Sequence, residues 1–193
     1  MRIIAGALRG RRLVAPAGAA TRPTADRVRQ ALFDMLAHAP WAENALAEAL
    51  VLDVFAGSGA LGLEALSRGA ASAVFIDNDR AALAALDTNI AACRMAARAR
   101  VLAADATRPP PGTPRTLIFI DPPYGQTLLA PTLAALDGAG WLAHDSVIAA
   151  ELGRADPLPP IFGPPLVERR HGAARLAIWR RQSMIVVGGQ PET

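Results

Sequence analysis

The chain has 193 residues, 52% of them hydrophobic and 19% charged, with a formal net charge of +3. That suffices for one globular domain with a sizeable core, and Glu48, Asp53, Glu64 and Asp77 interrupt the apolar stretches before the roughly 18 residues a membrane span needs. The lone Cys93 excludes an internal disulfide framework and fits a reducing cytoplasm, and Met1 to Arg12 is too short of apolar residues for an export signal.

In chain order, Arg2 to Ala15 reads as a short hairpin, with Ile3, Ile4, Leu8, Leu13 and Val14 arranged about a turn at Arg9-Gly10. Pro16 to Pro23 is a loop. A helix is predicted from Thr24, an N-cap type, carrying Val28, Leu32, Met35 and Leu36 at helical spacing, and a second short helix over Trp41 to Leu50. From there strands alternate with helices. The predicted strands are Val51 to Phe55, Ser72 to Ile76, Arg100 to Ala103, Thr116 to Ile120 and Val147 to Glu151; the helices are Leu61 to Ser67, Arg80 to Cys93 and Leu128 to Leu136. Thr116-Leu117-Ile118-Phe119-Ile120 is apolar enough to be buried on both faces, and the alternation predicts a parallel sheet covered by helices on both sides. Asp156 to Pro165 is a proline-rich loop, and Leu166 to Arg181 an antiparallel hairpin about His171-Gly172.

Charge is unevenly spread. Arg2, Arg9, Arg11, Arg12, Arg22, Arg27 and Arg29 face a single acid, Asp26, in the first thirty residues, and Arg169, Arg170, His171, Arg175, Arg180 and Arg181 cluster near the other end. Basic ends about a near-neutral middle suggest a polyanionic partner, against the plainer reading of arginines as solvated cations in a chain without lysine. His38, His144 and His171 lack metal-ligand spacing, so no metal is expected. Trp41, Trp141 and Trp179 read as core, and Cys93 as packed.

Gly57-Ser58-Gly59-Ala60-Leu61-Gly62 lies between a strand and a helix and lets the backbone approach a ligand; Asp77, after the next strand, can hold a ribose diol. Those features alone do not separate a nicotinamide cofactor from S-adenosylmethionine. Asp53, four residues before Gly57, would repel a pyrophosphate but suit an ammonium group, and Asp105 can accept from an adenine amino group. The Asp-x-Phe-x-Gly-x-Gly string with Asp77 and Asp105 resembles the class I, Rossmann-like methyltransferases over residues 50–180. The resemblance implies S-adenosyl-L-methionine as cofactor. By it, Asp53, Gly57, Ser58 and Gly59 hold the methionine end, Asp77 the ribose and Asp105 the adenine, with Phe55, Ala56, Asn78 and Ala106 as further cofactor contacts.

Asp121-Pro122-Pro123-Tyr124 follows the fourth strand. The lone pair of an aromatic amino group is delocalised into its ring. The Asp121 carboxylate and the Pro122 carbonyl could hold its two hydrogens and turn that pair toward a methyl donor, while Tyr124 offers a face for an extruded base. The motif is similar to that of amino methyltransferases acting on adenine, cytosine, guanine or glutamine amides. A DNA adenine or cytosine enzyme and a protein glutamine methyltransferase are the alternatives, the first short of room for a target-reading region, the second expected to carry asparagine at Asp121.

Arg2-Ile3-Ile4-Ala5-Gly6, Gly10-Arg11-Arg12-Leu13, Arg22-Pro23-Thr24-x-Asp26-Arg27-Val28-Arg29 and Leu32-Phe33 resemble the RsmD-type methyltransferases, and with the later motifs the likeness covers nearly the whole chain. That family implies a Rossmann-like α/β domain with a mostly parallel sheet of seven strands and a small N-terminal β-hairpin extension. It also implies methylation of the N2 amino group of a guanine in 16S ribosomal RNA, within the small ribosomal subunit or an assembly intermediate. Its departure here is Asp77, where glutamate is the commoner acid. Arg9, Arg11, Arg12, Arg22, Arg27 and Arg29 are the expected RNA contacts. The expected organisation is a basic arm over 1–23, a methyltransferase domain over 24–187 and a loose tail over 188–193, in a cytoplasmic monomer.

Overall fold

The computed structural model describes residues 1–17, 23–42, 45–123, 125–172 and 174–181. A 16-residue helix α1 (Pro23–His38) opens the domain, followed by β1 (Leu50–Val54), α2 (Ala60–Ser67), β2 (Ser72–Asp77), α3 (Arg80–Cys93), β3 (Ala99–Ala103) and β4 (Arg115–Ile120). Then come α4 (Leu129–Gly138), β5 (Leu142–Gly153), a short 3-10 turn (Pro160–Phe162), β6 (Val167–His171) and β7 (Ala174–Arg180). The strands form one seven-stranded sheet in the order β3-β2-β1-β4-β5-β7-β6. All pairs from β3 to β5 are parallel, and β7 pairs antiparallel with both β5 and β6. The parallel part of the sheet is what the alternation of elements predicts, and the whole is the Rossmann-like arrangement that the resemblance implies. Among the described residues, no helix is long and apolar enough to cross a membrane.

Side-chain alternation along the strands divides the core in two. Val51, Phe75, Leu117 and Phe119 face α1, α2 and α3, whereas Leu52, Val54, Ile118 and Ile120 face α4 and Trp141. Leu117 to Ile120 are at most 1% exposed, as a strand covered on both faces requires. On α1, Val28, Leu32, Phe33 and Leu36 are all buried, and the Phe33 ring lies 5.6 Å from that of Phe119. Burial of one such side chain is worth about 1.5–3 kcal/mol, more than any exposed ion pair on this helix, so the apolar stripe is what attaches α1.

Two predicted elements differ substantially, and most others by one or two residues at an end. Where a second helix is predicted, the described residues 41–42 and 45–48 form turns, with bonds from Ala45 N–H to Ala42 O and from Ala49 N–H to Leu46 O, and Glu48 has a φ of 55°. Buried Ala42, Leu46 and Ala49 imitate helical spacing in a segment too short to sustain a helix. β5 starts five residues earlier than expected because a register shift opposite Arg115–Leu117, with Asp145 at φ 59°, carries polar residues into the strand. α1 starts at Pro23, a residue suited to a first helical position, rather than at Thr24.

The N-terminal hairpin closes through a single bridge, Arg2 to Arg12, and its turn is broad. It is bolted to α2. Glu64, fully buried, accepts from Ile4 N–H (2.7 Å) and Ala5 N–H (3.0 Å) and pairs with Arg68 Nε at 2.7 Å. Ser67 Oγ donates to Ala5 O and accepts from Leu8 N–H. Gly6 sits so close that a Cβ would lie 1.9 Å from Ser67 O, and its φ is +80°. Glu64→Ala would leave two buried N–H groups and the Arg68 guanidinium unpaired. Urea unfolding should show a loss of roughly 3–5 kcal/mol, whereas a change below 1 would mean that Glu64 does not anchor the arm.

Candidate active site

Val54 pairs with Ile76 on one side and Ile120 on the other, and Asp77 with Ala103. The carboxyl ends of β3, β2, β1 and β4 therefore stand side by side. After β1 the chain enters α2 on one face, and after β4 it enters α4 on the other, so a crevice opens between these strand ends. Asp105, Asp77, Asp53 and Asp121 occupy those four ends in that spatial order.

The loop after β1 turns back sharply. Phe55, Gly57 and Gly59 take φ values of 59°, 55° and 76°, Ala56 N–H donates to Ile76 O, and Gly59 N–H donates to Ala56 O. Gly59 caps α2 without a side-chain bond, and Asp53 supplies the missing acceptor: its Oδ2 receives Gly62 N–H at 2.8 Å. A Cβ on Gly62 would stand 2.4 Å from the Phe75 ring, so the approach needs glycine. Asp53 is only 1% exposed. Burial pushes its carboxyl up to about 7, opposed by the Gly62 N–H and reinforced by the charge of Asp77. The sequence reading aimed Asp53 at a ligand; the structure in addition gives it the start of α2 as a partner. Ala56 and Ser58 are buried, and Phe55 is half-buried.

Asp77 holds the loop from the neighbouring strand. Its Oδ2 accepts from Gly57 N–H (2.8 Å) and its Oδ1 from Asp79 N–H (2.9 Å), while Asp79 caps α3 through Ala82 N–H. Asn78 is exposed beside it. Asp105 is exposed, and its Oδ1 accepts from both the N–H and the hydroxyl of Thr107. These two bonds hold its carboxyl below the usual range. Ala106 is buried behind it. Asp121 is exposed, and its N–H donates to Val54 O at 3.3 Å, so the loop leaves β4 still paired to β1. Pro122 is buried and Pro123 exposed; Tyr124 lies outside the described residues.

Arg9, Arg11, Arg12 and Arg27 are exposed; Arg22 lies outside the described residues. A groove of about 500 Å³ runs between the arm and α1, with Arg2, Arg9 and Arg27 on its walls alongside Asp26 and Asp34. Arg29 corrects the expectation of an RNA contact. It is 5% exposed, its guanidinium donates to Arg2 O (2.6 Å) and Asp26 Oδ1 (3.1 Å), and burial lowers its pKa. It fastens the arm to α1. Glu64 and Asn89 were missed as candidates, although a polar side chain among the apolar residues of a short buried helix face was the available signal.

The family model described as "Conserved hypothetical protein 95" matches residues 1–179. Ribosomal RNA small subunit methyltransferase D of Escherichia coli is 43% identical over 163 residues, 83% of this chain and 79% of that protein. The protein of the same name from Haemophilus influenzae is 33% identical over 82% of this chain and 81% of its own. Among solved structures, yhhF of Escherichia coli is similar with a TM-score of 0.81 and 40% identity, covering 94% of this chain and 98% of that one.

The raised Asp53 carboxyl sets a pH dependence. Between an ordinary carboxylate value near 4 and about 7, the folded chain keeps a proton that the unfolded chain releases, so stability falls as pH rises through that window and is flat above it. The fall amounts to roughly 4 kcal/mol at most. Asp53→Asn keeps an acceptor for Gly62 and cannot ionise. Urea unfolding across pH 4.5–8 should show a shallower fall in the variant; parallel curves would remove the buried charge as its cause.

Proposed function

This chain belongs to the "Conserved hypothetical protein 95" family, that of the ribosomal RNA small subunit methyltransferases D, and we propose that it uses S-adenosylmethionine to methylate the N2 amino group of one guanine in 16S ribosomal RNA. The observation that carries this reading is the row of Asp105, Asp77, Asp53 and Asp121 at four adjacent strand ends, with the glycine loop folded over it. A buried carboxylate beneath that loop opposes a pyrophosphate and favours a cationic donor. S-adenosylmethionine supplies an electrophilic methyl group on a positively charged sulfur.

The residues of this chain divide the remaining work. The loop from Phe55 through Ala56, Gly57 and Ser58 to Gly59 holds the methionine end. Asp53 acts from below, through the charge it places there and through its grip on Gly62. Asp77, with Asn78, accepts from the ribose hydroxyls, and Asp105, with Ala106, meets the adenine. A carboxylate has acceptor capacity beyond the N–H groups it already binds, so Asp77 can serve loop and ligand together. Asp121 and the Pro122 carbonyl accept the two hydrogens of the guanine amino group and point its lone pair at the donor. Asp121 then stabilises the positive charge on that nitrogen and takes a proton from it. Tyr124 stacks on the extruded base.

Arg9, Arg11, Arg12 and Arg27, with Arg22, contact phosphates of the RNA, and the substrate is the small subunit or its assembly intermediate in the cytoplasm, met by a monomer. Undermethylated small subunits incubated with labelled donor should yield N2-methylguanine on mass-spectrometric mapping; label on adenine, cytosine or protein would refute the assignment. Asp121→Ala should slow transfer by roughly 10²–10⁴-fold, and a variant within a few-fold of wild type would remove Asp121 from the chemistry. Joint replacement of Arg9, Arg11 and Arg12 by alanine should weaken subunit binding. It should also flatten the salt dependence by about 0.7–0.9 in logarithmic slope for each phosphate no longer neutralised; an unchanged slope would exclude the arm.

A further inference from the structure

We propose that Asn89 is a positioning residue that ties the N-terminal arm to the donor loop, so that RNA on the arm and donor in the loop bind cooperatively. The inference rests on the functional reading above and adds a coupling between its two sites. Asn89 lies on α3, is 1% exposed, and is the sole polar side chain among the buried residues of that helix. Its Oδ1 accepts from Val14 N–H at 2.8 Å, and its Nδ2 donates to Val14 O at 2.9 Å and to Ser58 O at 2.8 Å. Both amide hydrogens and the carbonyl are thus engaged. Reversing the amide would set donor against donor at Val14, so the network fixes its orientation.

Val14 meets this carboxamide as it would a neighbouring strand, with N–H and C=O both paired. Ser58 stands between Gly57 and Gly59 and is touched by the arm a second time, its Oγ donating to Met1 Sδ at 3.3 Å. Met1 O in turn accepts from Leu13 N–H. The flanks of the loop are held by the sheet, Gly57 by Asp77 and Gly62 by Asp53. Its centre is held by Asn89 of α3 and by Met1 of the arm. The exposed Arg11 and Arg12 immediately precede Leu13 and Val14, so phosphates on these arginines would restrain the same backbone that Asn89 grips. Ordering the arm by one ligand leaves less to be ordered by the other, and such coupling is reciprocal.

S-adenosylhomocysteine, which cannot react, is the probe, titrated calorimetrically with and without undermethylated small subunits. The wild type should bind it at least ~5-fold more tightly when subunits are present. In Asn89→Ala that ratio should fall toward one. Val14→Pro removes the N–H that Asn89 accepts and leaves Ser58 untouched; it should abolish the ratio while affinity for the probe alone stays near wild type. A merely structural role would lower thermal stability and leave the ratio intact. A wild-type ratio of one, or wild-type ratios in both variants, overturns the proposal. If the wild type fails to methylate the subunits, the substrate reading falls separately, and the tie is judged on amide exchange without RNA. There, Asn89→Ala, which releases Val14 and Ser58 O together, should speed exchange at Val14 and across Gly57 to Gly62 several-fold, and unchanged exchange overturns it.

Discussion

Parallel pairing of β1 with β2 on one side and β4 on the other is the constraint from which the site follows. Parallel strands end together, so any residue placed just past their last paired positions is delivered to one edge. The two-residue period then sorts neighbours. Leu52 and Val54 go to the α4 face, and Asp53 goes under α2. A carboxylate in that position is shielded from water, and the aligned N–H groups at the helix start offset part of its desolvation. The same group therefore fastens the start of α2 to the end of β1.

The arm is held by a different principle. It contributes Ile3 and Leu13 to the core, with Leu8 packed against it, and also attaches through backbone groups caught by Glu64, Ser67 and Asn89. Side chains reaching for main chain leave the arm's own side chains free, which is why Arg9, Arg11 and Arg12 remain exposed on a segment so firmly fixed. Arg29 works in the same sense from α1, its guanidinium taken up by Arg2 O.

What the sequence made legible was whatever depended on local pattern. The apolar run of β4, the span of α3 from Arg80 to Cys93 and the glycine loop between β1 and α2 are encoded by near neighbours, and the structure has them where periodicity puts them. The segment expected as a second helix misleads because burial of Ala42, Leu46 and Ala49 repeats helical spacing, while the bonds among its described residues close turns. The early start of β5 was hidden because a register shift lets polar residues occupy a strand. Within the site, the placement of Asp53, Asp77, Asp105 and Asp121 at strand ends was readable from the sequence, whereas their order along the edge comes from the strand order of the folded sheet. The bond from Gly62 to Asp53, the burial of Arg29 and the reach of Asn89 were not readable, because each depends on a partner brought near only by the tertiary fold.

The arm also fixes an order of events as the chain is made. Val14 finds its place only against Asn89, seventy-five residues later, and Ile4 only against Glu64, sixty later. During synthesis the basic arm precedes both partners and stays unseated until α2 and α3 have followed it. Seating of the arm thus waits on two helices encoded far downstream of it.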